Sequence, residues 1–337
     1  MKLATYRDGS RDGQLVVVSR DLSQAHYANG IATRLQQVLD DWNFIAPQLE
    51  TLSQSLNQGK ARHAFAFEPA RCLAPLPRPP LMLTGNAYAG LDALLQGRDA
   101  AAREAQLWRG PGEALLGAVE ALRLPSQALG LDFEPGLLAL CGDLPQGVEA
   151  GAALDGVRLL MLGTGWVLRQ LEAGERAQGR GAWLSQLGCS LSPVAVTPDE
   201  LGPSWRAGRL QGVLHSMWNG RRFAQLDLQD GQQFGMGELL AQAARLHGLP
   251  AGSLIGTGLI GGAQGAACLA HKQLLEGEAK TRTGFMQWGD SLRLDIKSAE
   301  GQSLFGAIDM DVVSPHEPAP EDRVPEAEQD EQEQVQP

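Results

Sequence analysis

Lysine is scarce in this chain of 337 residues. There are five, Lys2, Lys60, Lys272, Lys280 and Lys297, against 23 arginines. None falls between residues 60 and 272, which excludes a central lysine base or Schiff base there; arginine stays protonated and cannot take over as a base. The four cysteines, Cys72, Cys141, Cys189 and Cys268, include no CxxC pair. That excludes a zinc ribbon or a disulfide framework and suits buried free thiols in a reducing cytoplasm. No apolar run reaches the ~18 residues of a membrane span, and the start, MKLATYRDGSRDG, lacks the apolar segment of a secretory signal. A basic excess is missing too. With 28 basic and 39 acidic residues the net charge is −11, which argues against nucleic acid or an anionic membrane as a partner. The six histidines form no HExxH or HxxxH, and no serine sits in a GxSxG elbow.

What is abundant is glycine and proline, 41 and 19 residues, with 43% hydrophobic residues. That composition builds a sizeable core from short strands and many turns rather than a helical bundle. The charge is concentrated at the C-terminus. Residues 314–337 hold eight acidic residues and one basic, Arg323, so −7 of the −11 lies there. With five prolines and no aromatic residue, this segment is expected to be a disordered acidic tail.

Along the chain, KLATY and QLVVVSR flank DGSRDG and predict a β-hairpin. Leu35, Val38, Leu39 and Trp42 recur at helical spacing. Pro47 is expected to interrupt this helix, with a second, polar helix following to Asn57 and stopped by Gly59. CLAPLPRPPLML, with four prolines, predicts an extended linker. Residues 86–125, rich in Ala and Leu, predict two helices broken around Gly110, Pro111 and Gly112. GLLALCGDLP and GVRLLMLGTG predict buried strands, and AQLDLQDG and SLRLDIKS half-buried ones. Helices are expected over 238–247 and 263–276.

Two local patterns bear on chemistry. GTGLIG at 256–261 matches GxGxxG after an apolar segment, the setting of a dinucleotide-binding turn. Too little chain follows for further βα pairs, and no acidic residue ends a second strand, so the nucleotide reading is disfavoured. Asp132 and Glu134, two apart in a predicted strand, share one face. Such a pair could start a metal site, but hard cations want ~6–8 oxygens, and no further acids obviously converge.

Taken together, MKLATYRDGSRDGQLVVVSRDLSQAHYA, CLAPLPR, GLDFEPGLLALCGDLPQG, RLLMLGTGWVLRQ, SPVAVTPDELG, WNGRR, AGSLIGTG and FMQWGDSLRLDIKSAEGQSLFGAI resemble, in that order, the fumarylacetoacetate hydrolase family in its bacterial two-domain form. The resemblance covers about residues 1–80 and 128–313. It implies an α+β fold: a small N-terminal αβ domain over 1–72, a mixed β-roll domain over 73–313, and the tail over 314–337. It also implies a cytoplasmic homodimer, a small-molecule ligand, and no nucleic-acid or membrane partner. The family reaction is metal-dependent hydrolysis of a C–C bond in acylpyruvate or β-diketo acids, using Mg²⁺ or Ca²⁺ as Lewis acid with general base catalysis.

Against that pattern the working positions are altered. The paired metal carboxylates fall on Glu134 and Gly136, and the third on Gly165, so Glu134 is the sole metal-ligand remnant. The catalytic lysine falls on Gln186 and the catalytic histidine on Leu91, leaving no catalytic residue in place. The Thr or Ser after the GxG loop is Leu259. Tyr88, Gly256, Thr257 and Gly258 are expected to remain as cleft residues. The expectation is a catalytically degenerate member that needs no cofactor. One alternative is a divergent hydrolase or lyase with ligands moved to Glu104, Glu113 or Asp132; another is a non-catalytic subunit or small-molecule binder.

Overall fold

Alternating and β-branched residues on either side of the DGSRDG turn zip together as antiparallel β1 (Lys2–Tyr6) and β2 (Gln14–Val18), with Leu3 opposite Val17. This and all that follows is read from a computed structural model, which describes residues 1–98, 101–179, 181–262, 265–279 and 282–316. Strands β3 (Gln24–Tyr27) and β4 (Phe65–Ala66) extend the hairpin. Two helices pack beside it, α1 (Leu35–Asp40) burying Leu35, Val38 and Leu39, and α2 (Trp42–Asn57) burying Ala46, Leu49 and Leu56. The break between them corrects the sequence expectation. It falls at Asp41, whose backbone leaves the helical region at φ −133°, and Pro47 lies inside α2. A proline near a helix start forfeits one intrahelical hydrogen bond, and the buried stripe of α2 holds the helix together across it.

The next segment carries β5 (Met82–Gly85), α3 (Ala89–Leu95), β6 (Leu107–Arg109), β7 (Leu115–Leu116) and β8 (Leu122–Arg123). Of the two helices expected over 86–125, only α3 is present among the described residues. The remainder is drawn into short strands because neighbours offer backbone partners: β6 pairs with β5, β7 with a later strand, and β8 with the last. Sheet pairing overrides the high helix propensity of Ala and Leu, as tertiary context routinely does.

The long strands come next: β9 (Leu131–Cys141), α4 (Ala150–Asp155), β10 (Val157–Leu168), α5 (Arg169–Ala177), β11 (Gln186–Leu191) and β12 (Ala195–Val196). β9 and β10 are buried on both faces, which explains their nearly unbroken apolar sequences. A small hairpin, β13 (Trp205–Arg206) with β14 (Arg209–Leu210), leads to β15 (Val213–Trp218) and β16 (Arg221–Asp227). Then follow α6 (Met236–Ala243), β17 (Leu254–Gly256), α7 (Leu269–Glu276), β18 (Ser291–Lys297) and β19 (Ile308–Val313). Helix α6 ends earlier and α7 begins later than the sequence suggests.

The main sheet runs β4-β3-β2-β1-β12-β10-β9-β17-β5-β6, with β11 beside β10, and a second sheet runs β16-β15-β18-β19-β8. The N-terminal strands are thus continuous with the rest of the main sheet through β1 and β12, where Lys2 lies opposite Val196. All four cysteines are free and buried. Among the described residues no helix is long and apolar enough to cross a membrane. The tail expected over 314–337 falls, from residue 317 onward, outside the described residues.

Candidate functional site

Strand β9 places Asp132 and Glu134 on one face, as their spacing requires, and both reach the same cation. Arg169, the first residue of α5, sends Nε to Asp132 Oδ2 at 2.9 Å and Nη2 to Asp132 Oδ2 and Glu134 Oε1 at 2.8 and 2.7 Å. One helical turn on, Glu172 accepts from Arg169 Nη1 at 3.0 Å, and Arg176 Nη2 donates to Glu172 at 2.6 Å. Residues 169, 172 and 176 recur at helical spacing, so α5 presents one charged stripe along the site. Arg169 is 11% exposed and Asp132 0%. Asp132 is saturated: it also accepts the N–H groups of Phe133, Leu269 and Ala270, which ties β9 to the first turn of α7. Cys268 Sγ lies 3.6 Å from Arg169 Nη2 and accepts the His271 N–H. Burial pushes the Cys268 thiol well up, and the nearby Asp132 charge adds to the shift.

The electrostatics follow from depth. Burial works against the Arg169 charge, but Glu134 and Asp132 more than offset it and hold the guanidinium protonated well above its ordinary range. Burial raises the Glu134 carboxyl above the usual carboxylate range, and Arg169 opposes that shift without cancelling it.

The GTG segment forms the opposite wall. The Leu137 N–H donates to Thr257 Oγ1 at 3.1 Å, the Thr257 N–H donates to the Leu137 carbonyl at 2.8 Å, and the Ala87 N–H donates to the Thr257 carbonyl at 2.8 Å. Gly258 sits at φ +74°, and a Cβ there would run into the Gly85 carbonyl, so only glycine serves. The loop therefore presses its Gly258 carbonyl into the space beside Gly136. A Cβ on Gly136 would lie 2.7 Å from that oxygen. At Gly165, directly across the ladder from Glu134, a Cβ would meet nothing nearer than 4.0 Å. Pro135 fits mid-strand because its carbonyl accepts the Ile260 N–H from the loop side; its missing N–H faces the loop and costs no bond to β10.

Two connected hollows lie between these walls. The smaller, about 50 Å³, runs under Gly136, Gly163, Gly165 and Gly188 and has room for only a few waters. The larger, about 210 Å³, is bounded by Asn86, Tyr88, Trp108, Glu134, Arg169 and Gln186, among others. Thus the structure brings Glu134, Gln186, Tyr88, Gly256, Thr257 and Gly258 to one cleft, with Gly136 and Gly165 in its floor and Leu259 on its wall. Tyr88 is buried with its hydroxyl donating to the Leu228 carbonyl at 2.5 Å. Leu91 is the position on which the sequence resemblance puts the family's histidine. It is buried in α3 beside Gly261, whose added Cβ would touch it at 2.7 Å, and it does not line either hollow. Glu104 and Glu113, offered as relocated ligands, are exposed and line neither hollow. Asp132, the third, is committed to Arg169 and α7. The residues that sequence reasoning missed are Arg169, Glu172, Arg176, Asn86 and Trp108; alternating charges at 169, 172 and 176 were the available signal.

The family resemblance implies a divalent cation, and the residues present do not fit one. The Glu134 oxygen that would bind it is engaged by a guanidinium, and the Gly258 carbonyl fills the position from which a second carboxylate would project. Among the described residues no three His, Cys, Asp or Glu side chains form a group able to hold a metal ion. The GxGxxG reading fails as well: β17 is parallel to β5 but antiparallel to β9, and the next helix begins only at Leu269, far from the glycines.

No curated protein sequence matches the chain. Among solved structures, a fumarylacetoacetate hydrolase from psychrophilic Exiguobacterium antarcticum is similar at 16% identity and a TM-score of 0.65, over 93% of this chain and 99% of that one. A maleylpyruvate hydrolase from Sphingobium sp. SYK-6 is similar at 17% identity and 0.63, over 93% and 100%. A fumarylpyruvate hydrolase from Pseudomonas aeruginosa, in complex with Mn²⁺ and pyruvate, is similar at 16% and 0.55, over 72% and 91%. At such identities these likenesses establish the fold. The profile of fumarylacetoacetase N-terminal domain 2 matches residues 1–78, and that of the fumarylacetoacetate (FAA) hydrolase C-terminal matches residues 82–313. The chain belongs to the fumarylacetoacetate hydrolase family.

Proposed function

We propose that this chain keeps the family's cleft as a binding site for a small molecule and has given up metal-dependent C–C bond hydrolysis. The observation that carries the reading is the pairing of Glu134 with Arg169 at 2.7 Å, beside a Gly136 whose side-chain space is filled by the Gly258 carbonyl. An Mg²⁺ or Ca²⁺ ion gives up tightly held water only for several charged oxygens, and the three described carboxylates of the cleft, Asp92, Glu134 and Glu172, are each already paired with an arginine. The missing lysine and histidine point the same way. Each lost electrostatic or acid–base group typically lowers a rate by ~10²–10⁴, and although such losses do not add within one machine, little of the family reaction survives several of them. Gln186 in the lysine position offers an amide that donates and accepts hydrogen bonds but carries no charge.

The rival reading of a hydrolase with relocated ligands gains no support from Glu104 or Glu113, which are exposed and line neither hollow. The test is titration calorimetry of the full chain with Mn²⁺ and Mg²⁺, beside an acylpyruvate cleavage assay with metal present. Absence of binding up to millimolar metal and of cleavage is the expected result. Micromolar metal binding accompanied by clear turnover would sink the proposal.

A further inference from the structure

Asn86 is 3% exposed, borders the larger hollow, and uses half of its amide: Oδ1 accepts the Gln106 N–H at 2.7 Å, while Nδ2 is buried without a partner. Buried amide donors are nearly always paired, so an orphan beside a cavity marks the place of an absent acceptor. The terminal torsion of asparagine is soft, so a small rotation turns the NH₂ group toward an occupant.

The charges around the hollow narrow the choice of occupant. Its charged lining, among the described residues, is Asp92, Glu134, Glu172, Arg169 and Arg176. Both arginines are committed, Arg169 to Asp132, Glu134 and Glu172, and Arg176 to Glu172. Burial already raises the Asp92 carboxyl above its ordinary range even with Arg98 paired to it. An anionic ligand would enter an environment with three carboxylates and no uncommitted described cation, at a desolvation cost that nothing repays. A neutral ligand meets no such cost. It can accept from Asn86, donate to the Glu134 carboxylate, and lay an apolar body against Trp108, Leu95 and Leu259, which share the lining.

Resting on the reading that no divalent cation occupies the cleft, we infer that its ligand is an uncharged amide or lactam with an apolar body, held through its carbonyl by Asn86. This differs from the acidic substrates of the metal-dependent reaction.

The test uses the full-length chain and two isosteric probes, benzamide and benzoate, compared at pH 7 by saturation-transfer NMR and titration calorimetry. Benzamide is expected to bind at least tenfold more tightly than benzoate. Asn86→Leu is expected to weaken benzamide roughly tenfold, the loss of about one hydrogen bond. Should Asn86→Leu fail to melt cooperatively, Leu259→Trp fills the hollow from its wall and is expected to abolish benzamide binding. Benzoate binding as tightly as benzamide, no benzamide binding, or unchanged affinity in the folded Asn86→Leu or Leu259→Trp variant each overturns the inference. None of these results touches the metal reading, which stands or falls on the Mn²⁺ titration and the cleavage assay alone.

Discussion

Gly136 and Gly165 occupy adjacent strands of one ladder, and both are positions where the sequence resemblance leads one to expect a metal carboxylate, yet the surroundings of the two differ. At Gly165 the space above the strand is open. At Gly136 the GTG loop has closed in, with a carbonyl oxygen 2.7 Å from where a Cβ would be. A missing side chain leaves either a hollow or a new contact. The first position can be refilled by one substitution; the second has been absorbed into the backbone packing of residues 256–258 and 85–87.

The strongest challenge to this picture is to remove the cation that both acidic residues of β9 lean on. Arg169→Ala leaves Asp132 and Glu134 without their partner, and loss of about 3–5 kcal/mol is expected from urea unfolding. A change below ~1 kcal/mol would mean that the carboxylates do not depend on it. The comparison itself is tested by alanine at each glycine. Gly136→Ala should cost about 1–3 kcal/mol through forced displacement of the Gly258 carbonyl, whereas Gly165→Ala should be neutral or stabilise by up to ~1 kcal/mol, since glycine is a poor strand residue. Equal effects would erase the distinction. A finer probe is Gly165→Asp, which puts a second carboxylate directly opposite Glu134. The like-charge pair should cost about 0.2–1 kcal/mol in the same unfolding assay and confer no divalent-ion binding by calorimetry.

The smallest expected effect contrasts Glu134 of β9 with Glu175 of α5. The Ser185 hydroxyl, followed by the N–H groups of Leu184, Trp183 and Ser185, holds the Glu175 carboxyl down at about 2, against an ordinary 4.5. A depressed acid stabilises the fold fully above its unfolded value and loses that contribution as pH falls through its folded value. Closure of the 183–185 turn is therefore expected to persist at pH 5 and to fade between pH 4.5 and 2, followed by the fluorescence of the exposed Trp183. Glu175→Gln should remove that transition. Glu134, shifted the other way, contributes with the opposite sign: its penalty grows as pH rises past the ordinary carboxylate value.

Much of the strand framework is legible locally. The apolar runs of β9 and β10 and the alternation of β16 and β18 announce themselves, and the two-residue spacing of Asp132 and Glu134 places both on one face. The site's logic is less local. Arg169 lies 37 residues beyond Asp132, and nothing in either segment names the other as partner. The filling of the Gly136 space depends on a loop 120 residues downstream. The segment after α3 misleads because Ala and Leu favour helix, while the edges of two sheets supply partners that outweigh that local preference. The surroundings of Leu91 are not legible either: a motif position fixes a place along the chain, and only the fold sets that place beside Gly261.

The pairing of β1 with β12 has a consequence in time. Lys2 must wait for Val196. At synthesis rates of about 5–20 residues per second, that delay is roughly 10–40 s. Throughout it the first hairpin carries an open edge of backbone donors and acceptors, the arrangement that recruits wrong strands. The nascent chain is thus most exposed to misassociation early, well before the cleft exists, and a chaperone that shields the hairpin on the ribosome should raise the yield of folded protein more than one that acts after release.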